Sequence, residues 1–176
     1  MGYTHYINGS TKCTKQAWAS AIDDIQRVVA MAGIPLANGQ GEPGTLPIFN
    51  EEEVYFNGVG PASHETFVVR YGGATVSDFC KTAQKPYDLM VCACLIILKR
   101  WIPTLKVSSD GGEEELGWGN AISLCQQVLG YGNFPCGDGA IVSGPIPATP
   151  KVIVTPPTDD ELNGHITVNR AFPMED

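Results

Sequence analysis

The chain has 176 residues, of which 43% are hydrophobic, and its 19 acidic and 11 basic residues give a net charge of −8. This length suits one domain, and the apolar content can build its core without disulfides or a metal. The negative charge repels duplex nucleic acid and anionic membranes, so both are excluded as expected partners. Local groups must therefore bind any anionic ligand.

Cysteine usage and hydropathy favour a soluble protein of the cytoplasm. The six cysteines include Cys92 and Cys94, which lie inside the longest apolar run, 89–98, and that run is too short to cross a membrane. No secretory signal pattern opens the sequence, and no CxxC pair indicates a structural zinc site. We therefore expect reduced thiols, no bound metal and no cofactor.

The first half of the chain predicts a strand, a helix and a hairpin. Residues 2–7 alternate in polarity and are rich in aromatic residues, which favours a strand. Apolar residues then recur at helical spacing between Thr14, a candidate cap, and Gly33, a candidate stop. Two short apolar runs, 54–56 and 66–69, flank a polar loop and are typical of a hairpin.

The second half predicts two helices joined by a strand. Residues 83–101 predict one helix, with Pro86 in its first turn, where the missing N–H costs nothing. This helix is apolar on every side, which is typical of a central position in the core. A strand at 105–108 and a glycine turn then lead to an amphipathic helix over 116–129, ended by Gly130.

These elements predict an α+β fold, with a small mixed sheet packed on about three helices, one of them central. The core domain is expected to span 1–132, and its glycine-rich and proline-rich segment 36–47 is expected to be a loop. Residues 133–176 predict an extended, proline-rich tail that is not an independent domain. A tail that wraps a neighbouring subunit would make the protein a homo-oligomer.

The segment FCKTAQKPYD, residues 79–88, is the strongest candidate for a binding site. It carries a thiol, a hydroxyl, a phenol, a carboxylate and two amines at the start of the predicted central helix. Helix N-termini favour anions, and Lys81 and Lys85 would complete a phosphate or carboxylate cradle there. Alternatively, the lysines are solvated and Thr82 caps the helix. The candidate ligand-binding residues of this segment are Cys80, Lys81, Thr82, Lys85, Tyr87 and Asp88.

A second pair of candidate ligand-binding residues follows the predicted strand at 105–108. Ser109 and Asp110 open a glycine turn that leads into a helix, a geometry that suits ligand binding. The three glutamates at 113–115 already complement the dipole of that helix, so its start should repel an anion. Asp110 is therefore interpreted as a hydrogen-bond acceptor for a base, a sugar or an amine.

The histidines offer catalytic chemistry. HETF at 64–67 and HITV at 165–168 follow the outline His-x-Thr-apolar and are similar to the paired motif of the two-histidine phosphoesterases, where one imidazole acts as base and the other as acid. A Cys80 nucleophile beside His64 or His5 is another alternative. If the protein is an enzyme, its candidate catalytic residues are His5, His64 and Glu65.

Five blocks, taken together and in order, resemble an uncharacterised family of small phage, viral and microbial proteins. FCKTAxKPYD is the most specific block, and the proline-rich tail lies outside the resemblance. The resemblance implies that the blocks form one site, and it suggests a viral or mobile-element setting and hence the host cytoplasm. The blocks are GYTHY at 2–6, HETF at 64–67, FCKTAQKPYD at 79–88, Ser-Asp-Gly at 109–111 and LGYG at 129–132.

Three functions follow from these observations. The first is a binding protein for a small anionic, nucleotide-derived ligand, which in a viral setting would sequester a host signalling nucleotide. The second is a hydrolase of a phosphodiester or related bond, with His64 and another histidine as acid and base. The third is a structural or assembly protein in which the tail wraps a neighbour.

Overall fold

The computed structural model describes residues 3–73 and 76–137. In this part the chain forms three α-helices and seven strands, which confirms the α+β class. The helices are α1 (Lys15–Ala32), α2 (Asp88–Trp101) and α3 (Leu116–Leu129). The strands are β1 (Thr4–Gly9), β2 (Leu36–Ala37), β3 (Ile48–Phe49), β4 (Glu53–Gly58), β5 (Phe67–Arg70), β6 (Val76–Lys81) and β7 (Leu105–Ser109), and a 3-10 helix covers Gly60–Ala62.

The described strands form two antiparallel sheets, where one mixed sheet was predicted. In the first sheet β1 is central, with β6 on one side and β7 on the other. Both neighbours run antiparallel to β1, so they run parallel to each other, and the chain passes between them through α2. The insertion of β1 between them is why no parallel pair forms. In the second sheet β4 pairs with β2, β3 and β5, and its pairing with β5 confirms the predicted hairpin.

Helix α1 has the ends that the sequence predicts. The Thr14 hydroxyl accepts a hydrogen bond from a first-turn amide at 3.1 Å, and Gly33 ends the helix in the left-handed conformation, with φ at 63°. On its inner face the buried Asp24 carboxylate accepts hydrogen bonds from Trp101 Nε1 at 2.8 Å and from the Tyr131 hydroxyl at 2.6 Å. This carboxylate therefore ties α1 to α2 and to the segment after α3.

Helix α2 is the central element that the apolar run predicts. Every residue from Asp88 to Lys99 is buried, and the helix packs against both α1 and α3. Burial of the apolar side chains of α2 contributes to the hydrophobic effect, which is the main favourable term in folding. Within the described residues, no helix combines the length and apolar character needed to cross a membrane.

The start of α2 differs from the prediction. The helix begins at Asp88, five residues after the predicted start, because Ala83 and Gln84 adopt left-handed backbone angles, with φ at 49° and 54°. Such angles are uncommon for residues with a Cβ, and they cannot continue a right-handed helix. Pro86 therefore precedes the helix instead of occupying its first turn. The residues before this turn, up to Lys81, belong to β6.

The chain after α3 folds back onto the core. Helix α3 ends at Gly130, which has a φ of 76°, as the sequence predicts. The ring of Phe134 packs edge-on against Trp118, with centroids 5.2 Å apart, and Gly137 forms a β-bridge to Val107 of β7. The first five residues of the predicted tail thus pack on the core. Residues 138–176, with the tail's predicted oligomer contact, lie outside the described residues.

Candidate functional site

One end of the sheet of β1, β6 and β7 carries a group of polar and aromatic side chains that we call the His5 cluster. Strand β1 begins at this end, β6 and β7 end there, and α2 and α3 begin beside it. Six of the seven members are buried, and Ser109 alone among them is partly exposed. The cluster consists of Tyr3, His5, Thr82, Asp88, Cys92, Ser109 and Trp118.

Asp88 is the acceptor at the centre of the cluster. Its Oδ1 lies 2.8 Å from His5 Nε2 and accepts a hydrogen bond from the Thr82 hydroxyl at 2.5 Å. Asp88 is also the first residue of α2, where the helix dipole favours negative charge. Two hydrogen bonds and the helix dipole together offset the cost of burying this carboxylate.

The contacts of His5 define the role of each ring nitrogen. Because a carboxylate only accepts, Nε2 carries the proton that His5 donates to Asp88. In the neutral ring Nδ1 is then an acceptor, and it lies 3.1 Å from the Ser109 Oγ. Tyr3 and Trp118 pack edge-on against the ring, with centroids 5.1 and 5.3 Å away, and fix its plane.

Ser109 links the buried imidazole to the surface. Its hydroxyl faces His5 Nδ1, and its oxygen accepts a hydrogen bond from Trp118 Nε1 at 3.3 Å and a longer one from the Gly111 amide at 3.5 Å. One donated and two accepted hydrogen bonds use the full capacity of a hydroxyl. The Ser109 oxygen therefore sits among N–H donors at the exposed rim of the cluster.

Tyr3 carries a hydroxyl without a hydrogen-bond partner. Among the buried side-chain polar atoms of the described residues, its oxygen is the one for which no partner is found, and the side chain is 8% exposed. Burial raises the pKa of Tyr3 to about 12, although its approach to Ser109, which falls short of a formed hydrogen bond, acts to lower it. Leaving a buried hydroxyl unpaired costs stability, so the Tyr3 hydroxyl is a candidate contact for a ligand.

Cys92 completes a set of metal-ligating groups. It follows Asp88 by one helical turn, and its sulfur lies 3.8 Å from His5 Nε2 and 3.9 Å from Asp88 Oδ2. The three ligand atoms lie within 4.8 Å of one another, so the set could hold a transition metal. Binding would require the protons on Nε2 and on the thiol to leave, and burial together with the nearby carboxylate raises the pKa of Cys92 well above its usual value.

Asp110 lies beside the cluster, at the end of β7. Its carboxylate accepts hydrogen bonds from the Thr4 amide at 3.0 Å and from the Tyr6 hydroxyl at 3.3 Å. Tyr6 stands opposite Phe79 on the outer face of the sheet, and both rings are exposed, at 39% and 57%. This outer face therefore joins two aromatic rings to the end of the sheet that carries the cluster.

Lys81 and Lys85 lie on either side of the left-handed turn, not in the first turn of α2. Lys81 is the last residue of β6, and the Lys85 ammonium group donates to the Pro61 carbonyl at 3.2 Å. The first turn of α2 contains its own carboxylate, Asp88. The predicted anion cradle at the helix start is therefore filled by the protein, and the Lys85 ammonium group contacts the loop that carries Pro61 instead.

Cys80, Tyr87 and Glu65 form a second layer behind the turn. The Glu65 carboxylate accepts from the Lys81 amide at 2.7 Å, and the Glu65 carbonyl accepts from the Tyr87 hydroxyl at 2.7 Å. Burial raises the pKa of the Cys80 thiol to about 12, which argues against its predicted role as a nucleophile. These three residues hold the turn in place.

His64 does not join the cluster. It lies in the loop before β5 and not on a strand, its ring is exposed, and its backbone is held by the Asn57 side chain. Because the Asn57 amide bonds both the amide and the carbonyl of His64, this loop cannot extend the β4–β5 pairing. The second predicted histidine, His165, lies outside the described residues.

A separate open cleft of about 730 Å³ lies between α1 and β3. Trp18, Phe49 and Tyr71 contribute aromatic surface to it, and none of the predicted site residues lines it. Its titratable lining residues form no hydrogen bond or ion pair with one another in the described part of the chain, so the His5 cluster is the better candidate site.

Sequence reasoning found four members of the cluster and missed three. His5, Thr82, Asp88 and Ser109 were predicted separately, and the fold brings them together. Tyr3 shares the inward face of the first strand with His5, and Cys92 follows Asp88 at i+4, so both could have been found from side-chain periodicity. Trp118 could not be found in this way, because its spacing indicated only the apolar side of an amphipathic helix.

Comparisons with protein-family models, with curated proteins and with solved structures found no match to this chain. The resemblance to a phage, viral and microbial family thus stays a prediction.

Proposed function

We propose that this protein binds a small anionic, nucleotide-derived ligand at the end of the sheet formed by β1, β6 and β7. The observation that carries the proposal is the hydrogen-bonded series Thr82–Asp88–His5–Ser109, which runs through an apolar core and reaches the surface at Ser109. A buried polar series is costly unless every member is satisfied, and apolar residues would fill the same space at less cost. A binding role accounts for this series better than a packing role does.

Two lysines on either side of the left-handed turn favour an anion. In a chain with a net charge of −8, the ammonium groups of Lys81 and Lys85 form no ion pair with the described residues. Two unneutralised cations at a partly desolvated site attract phosphate or carboxylate groups at short range, even though the whole molecule repels them.

The exposed aromatic pair favours a nucleotide over a simple anion. Tyr6 and Phe79 are cross-strand neighbours, and the Tyr6 hydroxyl reaches the Asp110 carboxylate at the sheet end. Aromatic faces stack on nucleobases, and a carboxylate accepts hydrogen bonds from base or sugar donors. Sequestration of a host signalling nucleotide and assembly through the tail extend this proposal, and they rest on the resemblance and the tail composition.

Calorimetric titration with a panel of cyclic and linear nucleotides tests the proposal. Lys81→Ala and Lys85→Ala should each weaken binding by about 1.5–3 kcal/mol, the range for hydrogen bonds to charged groups, and Lys81→Glu should weaken it further because its carboxylate repels the ligand. Lys12, an exposed lysine just beyond the other end of β1, provides the control variant Lys12→Ala, which should bind as the parent does. Equal affinities for all four variants would rule out this site.

A further inference from the structure

We propose that Ser109 is a nucleophile that attacks a phosphodiester of the bound ligand, with His5 as its general base and Asp88 as the group that positions His5. The inference rests on the proposed function, and it adds turnover to binding. The observation behind it is the sequence of contacts from Ser109 Oγ to His5 Nδ1 at 3.1 Å and from His5 Nε2 to Asp88 Oδ1 at 2.8 Å.

These contacts meet the geometric requirement for an activated hydroxyl. A nucleophile must lie within hydrogen-bonding distance of a base, and a third group must orient that base. The Asp88 carboxylate places the His5 proton on Nε2, which leaves Nδ1 free to accept the Ser109 proton. The Thr82 hydroxyl donates to the same carboxylate oxygen and keeps it in position.

The surroundings of Ser109 favour negative charge on its oxygen. Trp118 Nε1 and the Gly111 amide both point N–H groups at Oγ. Fixed donors aimed at an oxygen that gains charge lower the barrier for losing its proton, and they act more strongly where water is excluded. The two hydrogen bonds to Ser109 Oγ therefore favour loss of its proton.

Exposure assigns different roles to Ser109 and His5. Ser109 is partly exposed, whereas His5 is 0% exposed and lies beneath it. A substrate can therefore reach the hydroxyl but cannot meet the face of the imidazole. This arrangement favours covalent attack by Ser109 over the direct acid and base roles that two-histidine chemistry requires.

The Tyr3 hydroxyl is an independent pointer to a ligand at this place. It is more than nine-tenths buried, it has no partner among the described residues, and a Cβ on Gly111 would come within 2.5 Å of it. The hydroxyl thus lies beside the Ser109–Gly111 turn with a proton to donate. A non-bridging phosphate oxygen of a substrate held at Ser109 would give this donor an acceptor.

The reaction balances without a metal or a redox partner. In the first step the Ser109 oxygen forms a bond to phosphorus, the bond from phosphorus to the leaving oxygen breaks, His5 Nδ1 takes the Ser109 proton, and the leaving oxygen takes a proton from solvent. In the second step water attacks phosphorus and releases one proton to solvent, the bond from phosphorus to Ser109 breaks, and the proton held on His5 returns to Ser109. The sum is hydrolysis of one phosphodiester bond by one water.

A fluorophosphonate probe tests the nucleophile on the full chain, because it offers a phosphorus electrophile that an activated serine attacks with release of fluoride. The parent should gain one adduct, mapped to Ser109 by peptide mass spectrometry. Ser108 is exposed on the opposite face of β7, so Ser108→Ala is the matched control and should label as the parent does. Ser109→Ala should show no adduct.

The role of the base is tested with two further variants. His5→Gln and Asp88→Asn should each slow labelling at least 100-fold, with circular dichroism used to verify that they fold. If either fails to fold, Thr82→Val, which removes the hydroxyl from Asp88, should label more slowly than Thr82→Ser, which keeps it. A parent that is not labelled, or is labelled at another residue, would overturn the inference.

The outcome separates this inference from the proposed function. Nucleotide binding in the calorimeter without labelling of Ser109 would remove the nucleophile and leave the binding site. Labelling of Ser109 together with hydrolysis of bis(p-nitrophenyl) phosphate, but without nucleotide binding, would support the nucleophile and remove the nucleotide-binding proposal.

Discussion

Gly117 of α3 lies directly against the Asp88 carboxylate of α2, so that a Cβ on Gly117 would overlap Asp88 Oδ2. Gly117→Ala should therefore displace the carboxylate or separate the helices, at a cost of about 1–3 kcal/mol in unfolding free energy, the usual range for overpacking. Gly119 on the same helix is the control, because a Cβ there would meet its nearest atom at 3.8 Å. Gly119→Ala should stabilise the helix by up to about 1 kcal/mol. Urea denaturation measures both.

Thr82 contributes a hydrogen bond to a buried carboxylate. Thr82→Val keeps the shape of the side chain but removes the donor, and should lower the unfolding free energy by about 1.5–3 kcal/mol. Thr82→Ser keeps the hydroxyl and should lose only the packing of one methyl group. If valine and serine proved equally stable in urea denaturation, the bond to Asp88 would contribute nothing to folding.

Asp24 joins three elements through its carboxylate. Asp24→Ala leaves Trp101 Nε1 and the Tyr131 hydroxyl without their acceptor, so we expect a loss of about 1–3 kcal/mol for each donor that stays buried. The exposed neighbour Asp23 is the control, and Asp23→Ala should change stability by no more than about 0.5 kcal/mol. Thermal unfolding that ranks the two variants equally would contradict this assignment.

Alkaline pH should lower the free energy of unfolding. Burial raises the pKa of Cys80 to about 12 from 9.0, and that of Tyr3 to about 12 from 10.0. The folded state therefore keeps protons that the unfolded chain loses, so the unfolding free energy is greatest below about pH 9 and falls as the pH rises toward 12. Urea titrations at pH 8, 9 and 10 measure the slope. A flat profile would mean that these groups titrate alike in both states.

The sequence predicted α1, α3 and the β4–β5 hairpin because each depends on local signals. Thr14 and Gly33 act on neighbouring amides and carbonyls, and Gly130 acts in the same way at the end of α3. The two-residue strands β2, inside the predicted loop 36–47, and β3, just after it, lack such a signal, because their pairing with β4 is set by tertiary contacts.

The start of α2 and the contacts within the His5 cluster could not be predicted without the fold. Ala83 and Gln84 have no side-chain feature that predicts left-handed angles, so the expected helix continued through them. Likewise, His5 and Asp88 are separated by 83 residues, and no spacing rule connects them. Side-chain chemistry singled out these two residues, and only the sheet topology shows that they meet.

The central place of β1 has a consequence for how the protein is made. Strand β1 leaves the ribosome before its two sheet partners, 76–81 and 105–109, have been synthesised. His5 can contact Ser109 only after a further 104 residues have been synthesised. Such long-range contacts are associated with slow folding, because closing a long loop costs entropy before the contact forms. During translation the imidazole is therefore exposed and unpaired. The site forms only when β6 and β7 have paired with the two edges of β1.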